Sequence, residues 1–178
     1  MRRAQQMPTP KGEVRSPGTD SDFQEQKATY LAIVRLVERL HRQFLELVDA
    51  ELDRLRIVDV NNVQSLILFN IGREEATIGE LITRGYYLGS NVSYNVRKLV
   101  ENDYLVQERS VHDRRSSRVR LSKKGLDLYN HFEEMFDRQV AAYQEVGEID
   151  DLKQATQTFR KLGEFWGNQT GYAGRHAF

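Results

Sequence analysis

The chain has no cysteine. Disulfides, thiolate metal sites and cysteine nucleophiles are excluded together. It also has no net charge, since 26 Lys and Arg balance 26 Asp and Glu. Affinity for a polyanion must therefore come from where charge is placed, not from its total. No apolar run reaches the roughly eighteen residues of a membrane span, and the leading MRRAQQMPTPKGEVRSPGTDSD lacks the apolar core of a signal peptide. The expectation is a soluble cytoplasmic protein. Proline is confined to Pro8, Pro10 and Pro17, and residues 1–22 hold too few apolar groups to fix themselves, so they read as a disordered tail. Catalytic fingerprints are missing too: there is no G-x-S-x-G, phosphate-cradling loop or dinucleotide motif. The histidines His41, His112, His131 and His176 are dispersed, and His131-x-Glu133-Glu134 is the nearest thing to a metal set. Neither an enzyme, nor a metal, nor a cofactor is expected.

What is present is helical periodicity. Tyr30, Ile33, Val37, Leu40, Phe44, Leu47, Val48, Leu52 and Leu55 recur every three or four residues. One helix from Phe23 to Leu55 would be a rod of about 45 Å, either a long core helix or one partly spent on a partner subunit. A short connection follows. Asp59 or Asn61 is the N-cap candidate of a second helix over Val63, Leu66, Ile67 and Phe69, with Gln64 able to complete a capping box with Asn61, and Gly72 stops it. Thr77 with Glu80 opens a third, Ile78 to Arg84. Gly85 to Gly89 is then a turn into a helix starting at Ser90. Two short helices joined by a Gly-containing turn are a helix-turn-helix, whose second member enters a DNA groove. Later, Ser122 caps a helix running to Gly147, and Asp150 or Asp151 caps a last one carrying Leu152, Ala155, Phe159, Leu162, Phe165 and Trp166. The fold class is mainly α with a small two- to three-stranded β-wing, namely a winged helix-turn-helix flanked by N- and C-terminal helices.

Leu88 to Gly125 is the informative stretch. Val92, Val96, Leu99 and Val100 share one helical face, which leaves Ser90, Asn91, Ser93, Tyr94, Asn95, Arg97 and Lys98 as the outward set that can meet base edges and phosphates in a major groove. The helix breaks at Asn102-Asp103. Leu105-Val106 and Val119-Leu121 then read as strands around a hydrophilic turn. Between Glu108 and Lys124, Arg109, Arg114, Arg115, Arg118, Arg120, Lys123 and Lys124 face only Glu108 and Asp113, a local charge of about +5 that suits a polyanion. A basic hairpin alone can equally be a solvated turn, and a polar helix face alone decides nothing. In this order they point to nucleic acid. Arg115 suits a narrow minor groove, where negative potential concentrates. Asp113, repelled by phosphates, can instead pair with Arg115 and aim it. Arg114 is a second candidate for the groove, Arg109 and Arg118 are phosphate clamps, and Thr77, Thr83 and Arg84 can hold the backbone. Tyr86 and Tyr87 invite a base-stacking reading, but a packed turn explains them as well.

The run Asp113-Arg114-Arg115-Ser116-Ser117-Arg118-Val119-Arg120-Leu121-Ser122-Lys123-Lys124-Gly125 resembles the wing signature of the MarR family, D-x-R, an alternating strand, L-[ST] and a following Gly. Ser90-x-Val92-Ser93-x-x-Val96-x-x-Leu99 resembles that family's recognition helix, and the likeness spans roughly residues 23–166. Tyr94 stands where typical members carry a cation or Thr, which alters the expected site preference.

The resemblance implies a homodimeric, sequence-specific regulator on a pseudo-palindromic double-stranded operator, more often a repressor, lying on the nucleoid and away from membranes. It implies residues 23–55 and 125–166 as dimerisation helices around a DNA-binding lobe at 56–124, with a Gly-rich tail at 167–178. It also implies a small aromatic or phenolic effector, for which Tyr30, His41, Phe44 and Phe69 are the candidate lining. Cysteine-based oxidant sensing, used by some relatives, is excluded. The run GYYLGSNVSYN resembles a proteobacterial subgroup linked to cell-envelope remodelling and stress. Two other readings stay open: a winged-helix protein-interaction module, and an architectural DNA-binding protein with no effector.

Overall fold

The computed structural model describes residues 20–83, 89–109 and 117–169. The chain divides into two units, residues 1–43 and 44–178. What is described of the first is the N-terminal part of a helix, α1 (Asp20–Arg54). Asp20 and Asp22 sit in its first turn, where carboxylates complement the helix dipole. The helix therefore starts three residues before the expected Phe23. Phe23, Tyr30, Leu31, Leu36 and Leu40 of this unit are exposed.

In the second unit α1 closes with a Schellman motif. Arg56, at φ 57°, donates its N–H to Asp53 O at 3.0 Å, and Ile57 donates to Leu52 O at 3.0 Å. Asn61 caps α2 (Asn62–Ile71) through the expected box: its side chain accepts from Gln64 N at 2.9 Å and its N–H donates to Gln64 Oε1 at 3.1 Å. Gly72 ends that helix at φ 69°. β1 (Ala76–Thr77) follows, then α3 (Ile78–Thr83) and α4 (Gly89–Glu101). The hairpin is β2 (Leu105–Arg109) and β3 (Ser117–Leu121), longer than the apolar residues alone indicated because Arg109 and Ser117 still pair. β3 lies between β1 and β2, antiparallel to both, with Ala76 opposite Val119 and Leu105 opposite Leu121.

Ser122 caps α5 (Lys123–Gln144), accepting from Gly125 N at 3.0 Å. The last helix is α6 (Ile149–Gln169). Asp150 and Asp151 lie inside its first turn rather than capping it, and Asp150 is held by Lys153 at 2.6 Å. The helix also runs to Gln169, past the expected end at Trp166.

One core joins α1, α2, α4, β2, β3 and α5. Val48, Leu52, Ile67, Leu68, Val92, Val96, Leu99, Leu105, Val119, Leu128, Phe132 and Met135 are all buried. Glu51 is buried among them. Its carboxylate accepts from Arg54 at 2.6 and 2.9 Å and from Arg138 at 2.7 Å, tying α1 to α5. Gly125 is required at the start of α5 because a Cβ there would overlap the Tyr104 carbonyl oxygen.

Candidate nucleic-acid interface

The α4 helix is two-faced for a local reason. Val92, Val96 and Leu99 recur at the helical period and each is 1% exposed or less, with Val100 packed against the same core. At roughly 1.5–3 kcal/mol per fully buried side chain, this stripe fixes which way the helix faces. Asn91, Ser93, Tyr94 and Arg97 are consequently exposed, Tyr94 by 56%. Lys98 is half-exposed and donates to Glu101 Oε2 at 2.7 Å, and that hydrogen bond holds its ammonium above the usual lysine range.

Asn95 departs from the expected outward set. It is 8% exposed, and its Nδ2 donates to Asn91 O at 2.9 Å. Three residues after Val92 and four before Leu99, it shares their buried side. Its polarity misled the reading, while its position did not. It is removed from the base-reading set. Ser90 lies on described backbone, but its side chain, like those of Thr83 and Arg109, is outside the described residues, as are Arg84, Tyr86, Tyr87, Asp113, Arg114 and Arg115.

The root of the wing is described. In β3 the alternation turns Val119 inward, fully buried, and Arg118 and Arg120 outward. Arg120 donates to Glu108 Oε1 at 2.8 Å, and Arg118 lies 3.5 Å from Glu75 Oε2. Both pairs are exposed, so each is worth at most about 1 kcal/mol and exchanges easily for a phosphate. Thr77 caps α3: its hydroxyl oxygen accepts from Glu80 N at 3.1 Å, and its N–H donates to Glu80 Oε2 at 2.6 Å. The expected second capping box is thus present.

The residues named for an effector fall in both units. Tyr30 and His41 belong to the unit of residues 1–43 and Phe44 and Phe69 to the other. Within the second unit, Phe44 stacks on Phe136 at 6.3 Å, and Phe69 contacts Tyr129 and Phe136 at 5.0 Å each. Those partly buried rings pack on one another against the core. Sequence reasoning missed Glu51 as a buried ion centre and Asp59 as a polar hub. Only their placement beside apolar stripes hinted at either.

Among the described residues no helix is long and apolar enough to cross a membrane, and no group of three or more His, Asp or Glu is placed to hold a metal ion.

Residues 60–125 match the family model of a winged helix DNA-binding domain. The chain is 36% identical over 159 residues to the exopolysaccharide II synthesis transcriptional activator ExpG of Rhizobium meliloti, a match covering 88% of this chain and 81% of that protein. Its fold is similar to Streptococcus pneumoniae FabT in complex with DNA, at 17% identity and a TM-score of 0.65, covering 79% of this chain and 99% of that one. It is similar also to Staphylococcus aureus MarR in complex with salicylate and kanamycin, at 19% identity and a TM-score of 0.62, covering 80% and 95%. With a relative 36% identical over 88% of this chain, the chain belongs to the MarR family of winged helix-turn-helix transcriptional regulators, DNA-binding proteins and not enzymes.

Proposed function

We propose that the chain works as a homodimer on a pseudo-palindromic operator, each subunit setting α4 in a major groove and its wing in the neighbouring minor groove. The observation that carries this is the division of α4 into a fully buried stripe and an exposed face of Asn91, Ser93, Tyr94 and Arg97. Asn91 and Ser93 offer donors and acceptors to base edges, and Tyr94 offers its ring to a thymine methyl or its hydroxyl to a phosphate. Ser90, Arg97 and Lys98 serve the flanking backbone. Arg115 enters the minor groove, aimed by Asp113 and seconded by Arg114. Arg109 and Arg118 clamp phosphates, and Thr77, Thr83 and Arg84 hold the backbone beside α3.

Support for the homodimer is the apolar surface left open in each unit: Phe23, Leu31, Leu36 and Leu40 in one, Val140, Leu152, Phe159 and Phe165 in the other. Two-fold symmetry sets half-sites about 10 bp apart. The FabT structure in complex with DNA supports DNA as the partner. The salicylate complex supports a small aromatic or phenolic anion as effector. By linkage such a ligand, if it weakens DNA binding, binds the DNA-bound protein more weakly in turn. Family resemblance favours repression. ExpG, an activator of exopolysaccharide II synthesis, favours activation and cell-surface polysaccharide genes as targets, and we adopt that assignment.

The test is fluorescence anisotropy with the duplex upstream of the protein's own gene and with duplexes upstream of exopolysaccharide-synthesis genes, beside a scrambled duplex, over a salt series. Preference for one promoter, weakening steeply with salt, is expected. Arg115→Ala should lower that affinity by about 1–3 kcal/mol without changing the fold. Equal binding to the scramble would leave an architectural protein, and a promoter reporter with and without salicylate reads the sign of regulation and the effector response.

A further inference from the structure

Three segments far apart in sequence meet at one carboxylate. Asp59 lies in the connector between α1 and α2. Its Oδ1 accepts from the Tyr104 hydroxyl at 2.8 Å, its Oδ2 from Lys124 Nζ at 2.7 Å, and its main-chain oxygen from Asn102 Nδ2. Lys124 donates as well to Asn102 O at 3.0 Å, and its Nζ stands 4.0 Å above the Tyr104 ring. Ser122 completes the knot: its hydroxyl donates to Asp103 O and its N–H to Tyr104 O at 3.0 Å. Asn102 and Asp103 end α4, Tyr104 leads into β2, and Ser122 and Lys124 link β3 to α5. The connector from α1, the end of α4 and both roots of the wing are thus fixed to one another.

The chemistry of the hub is that of a rigid joint. Tyr104 is 2% exposed. Burial, with Asp59 beside it, pushes its phenol above the usual range, so it remains an O–H donor. Burial would raise the Asp59 carboxyl, but the hydrogen bonds from Lys124 and Tyr104 outweigh it and hold the group below its ordinary range. The Asp59 and Lys124 side chains are half-exposed, so their ion pair alone adds little; the buried Tyr104 and the bonds of Asn102 and Ser122 to main-chain oxygens carry most of the restraint. The hub lies eight residues beyond Tyr94 along α4, about 12 Å at the helical rise. It does not share the exposed Asn91–Arg97 face.

We propose that Asp59 is a positioning residue for DNA recognition: with Lys124 and Tyr104 it locks the recognition helix and the wing in one relative orientation, so that both engage the duplex together. This rests on the assignment of α4 and the wing to DNA. Neither Asp59 nor Lys124 touches DNA in this scheme, and they act through α4 and β2.

The experiment compares full-length wild type, Asp59→Asn, Tyr104→Phe, Tyr94→Ala and the exchanged pair Asp59→Lys with Lys124→Asp. Each is assayed for affinity to promoter and to scrambled duplex well below its unfolding temperature. Asp59→Asn removes the negative charge and leaves one acceptor oxygen for the two donors Tyr104 and Lys124. It should lower the promoter-to-scramble ratio by roughly two- to thirtyfold while circular dichroism stays unchanged, and the exchanged pair should recover part of the ratio. Tyr104→Phe keeps the ring beneath Lys124 and loses one hydrogen bond, so it should give a smaller drop in the same direction, and it serves if Asp59→Asn fails to fold. If Tyr94→Ala lowers the ratio while Asp59→Asn and Tyr104→Phe leave it intact, the positioning role is wrong and the hub only stabilises the fold. If none of the variants changes the ratio, the assignment of α4 to DNA falls and the positioning role falls with it.

Discussion

Helices α4 and α6 carry the same kind of apolar stripe and meet opposite fates. In α4, Val92, Val96 and Leu99 vanish into the core. In α6, with 21 residues against 13, no residue is buried, and Leu152, Phe159 and Phe165 are 44, 36 and 49% exposed. Each of these side chains, somewhat under half exposed, forgoes only part of the roughly 1.5–3 kcal/mol that full burial gives. A stripe completed within the chain aims a functional face, whereas a stripe left open calls for a surface from outside. The difference separates residues whose loss unfolds the protein from residues whose loss leaves a folded but unassembled chain.

The sharpest way to break that comparison is Leu99→Ala. With Leu99 fully buried, truncation should remove about 2–5 kcal/mol of stability, read from urea unfolding. A loss below about 1 kcal/mol would show that α4 is not anchored as described. The matching change on the open stripe is Phe159→Asp. It should leave the circular dichroism spectrum unchanged and weaken self-association by about 2 kcal/mol, roughly thirtyfold, in sedimentation equilibrium. An unchanged association constant would take Phe159 out of the dimer seam.

Legibility in the sequence divides by range. The α4 stripe, the boxes at Asn61 with Gln64 and at Thr77 with Glu80, and the Ser122 cap all depend on residues three or four apart, so the sequence displays them directly. Asn95 was legible by position and was misread by type: a short amide can bury itself when a carbonyl one turn back accepts its N–H. Asp59 was not legible, because its partners Tyr104 and Lys124 lie 45 and 65 residues away. Glu51 sits in the α1 stripe, but Arg138, which makes a buried carboxylate tolerable there, is 87 residues distant. Long-range polar pairing leaves no period to read.

Glu51 sharpens the comparison from the polar side. Its hydrogen bond from Arg54 lowers its carboxyl pKa, burial opposes this, and Arg138 lowers it further, leaving it below the ordinary 4.5. A depressed folded-state value means that its contribution is present above about pH 4.5 and is lost as pH falls through the folded value. Glu51→Gln should remove about 1–2 kcal/mol at neutral pH, discounted because both guanidinium partners are half-exposed. It should also flatten the acid limb of the stability curve. A variant whose acid limb matches wild type would mean that other carboxylates control it.

The smallest effect tests how α4 ends. Asp103, at φ 61°, donates its N–H to Val100 O at 3.1 Å while Tyr104 donates to Leu99 O at 2.8 Å, a Schellman closure with a non-glycine residue in the left-handed position. Such a residue is strained by about 1–2 kcal/mol, whereas glycine there is unstrained but loses roughly 0.5–1 kcal/mol more chain entropy on folding. Asp103→Gly should therefore raise stability by about 0.5 kcal/mol. Ser122 binds the main-chain oxygen of Asp103, not its carboxylate, so the joint around Asp59 should survive and promoter discrimination should not move. Stability gained with discrimination intact would show that the orientation of α4 is held by the hub and not by strain in its last turn. Discrimination lost with stability gained would move that control to the turn.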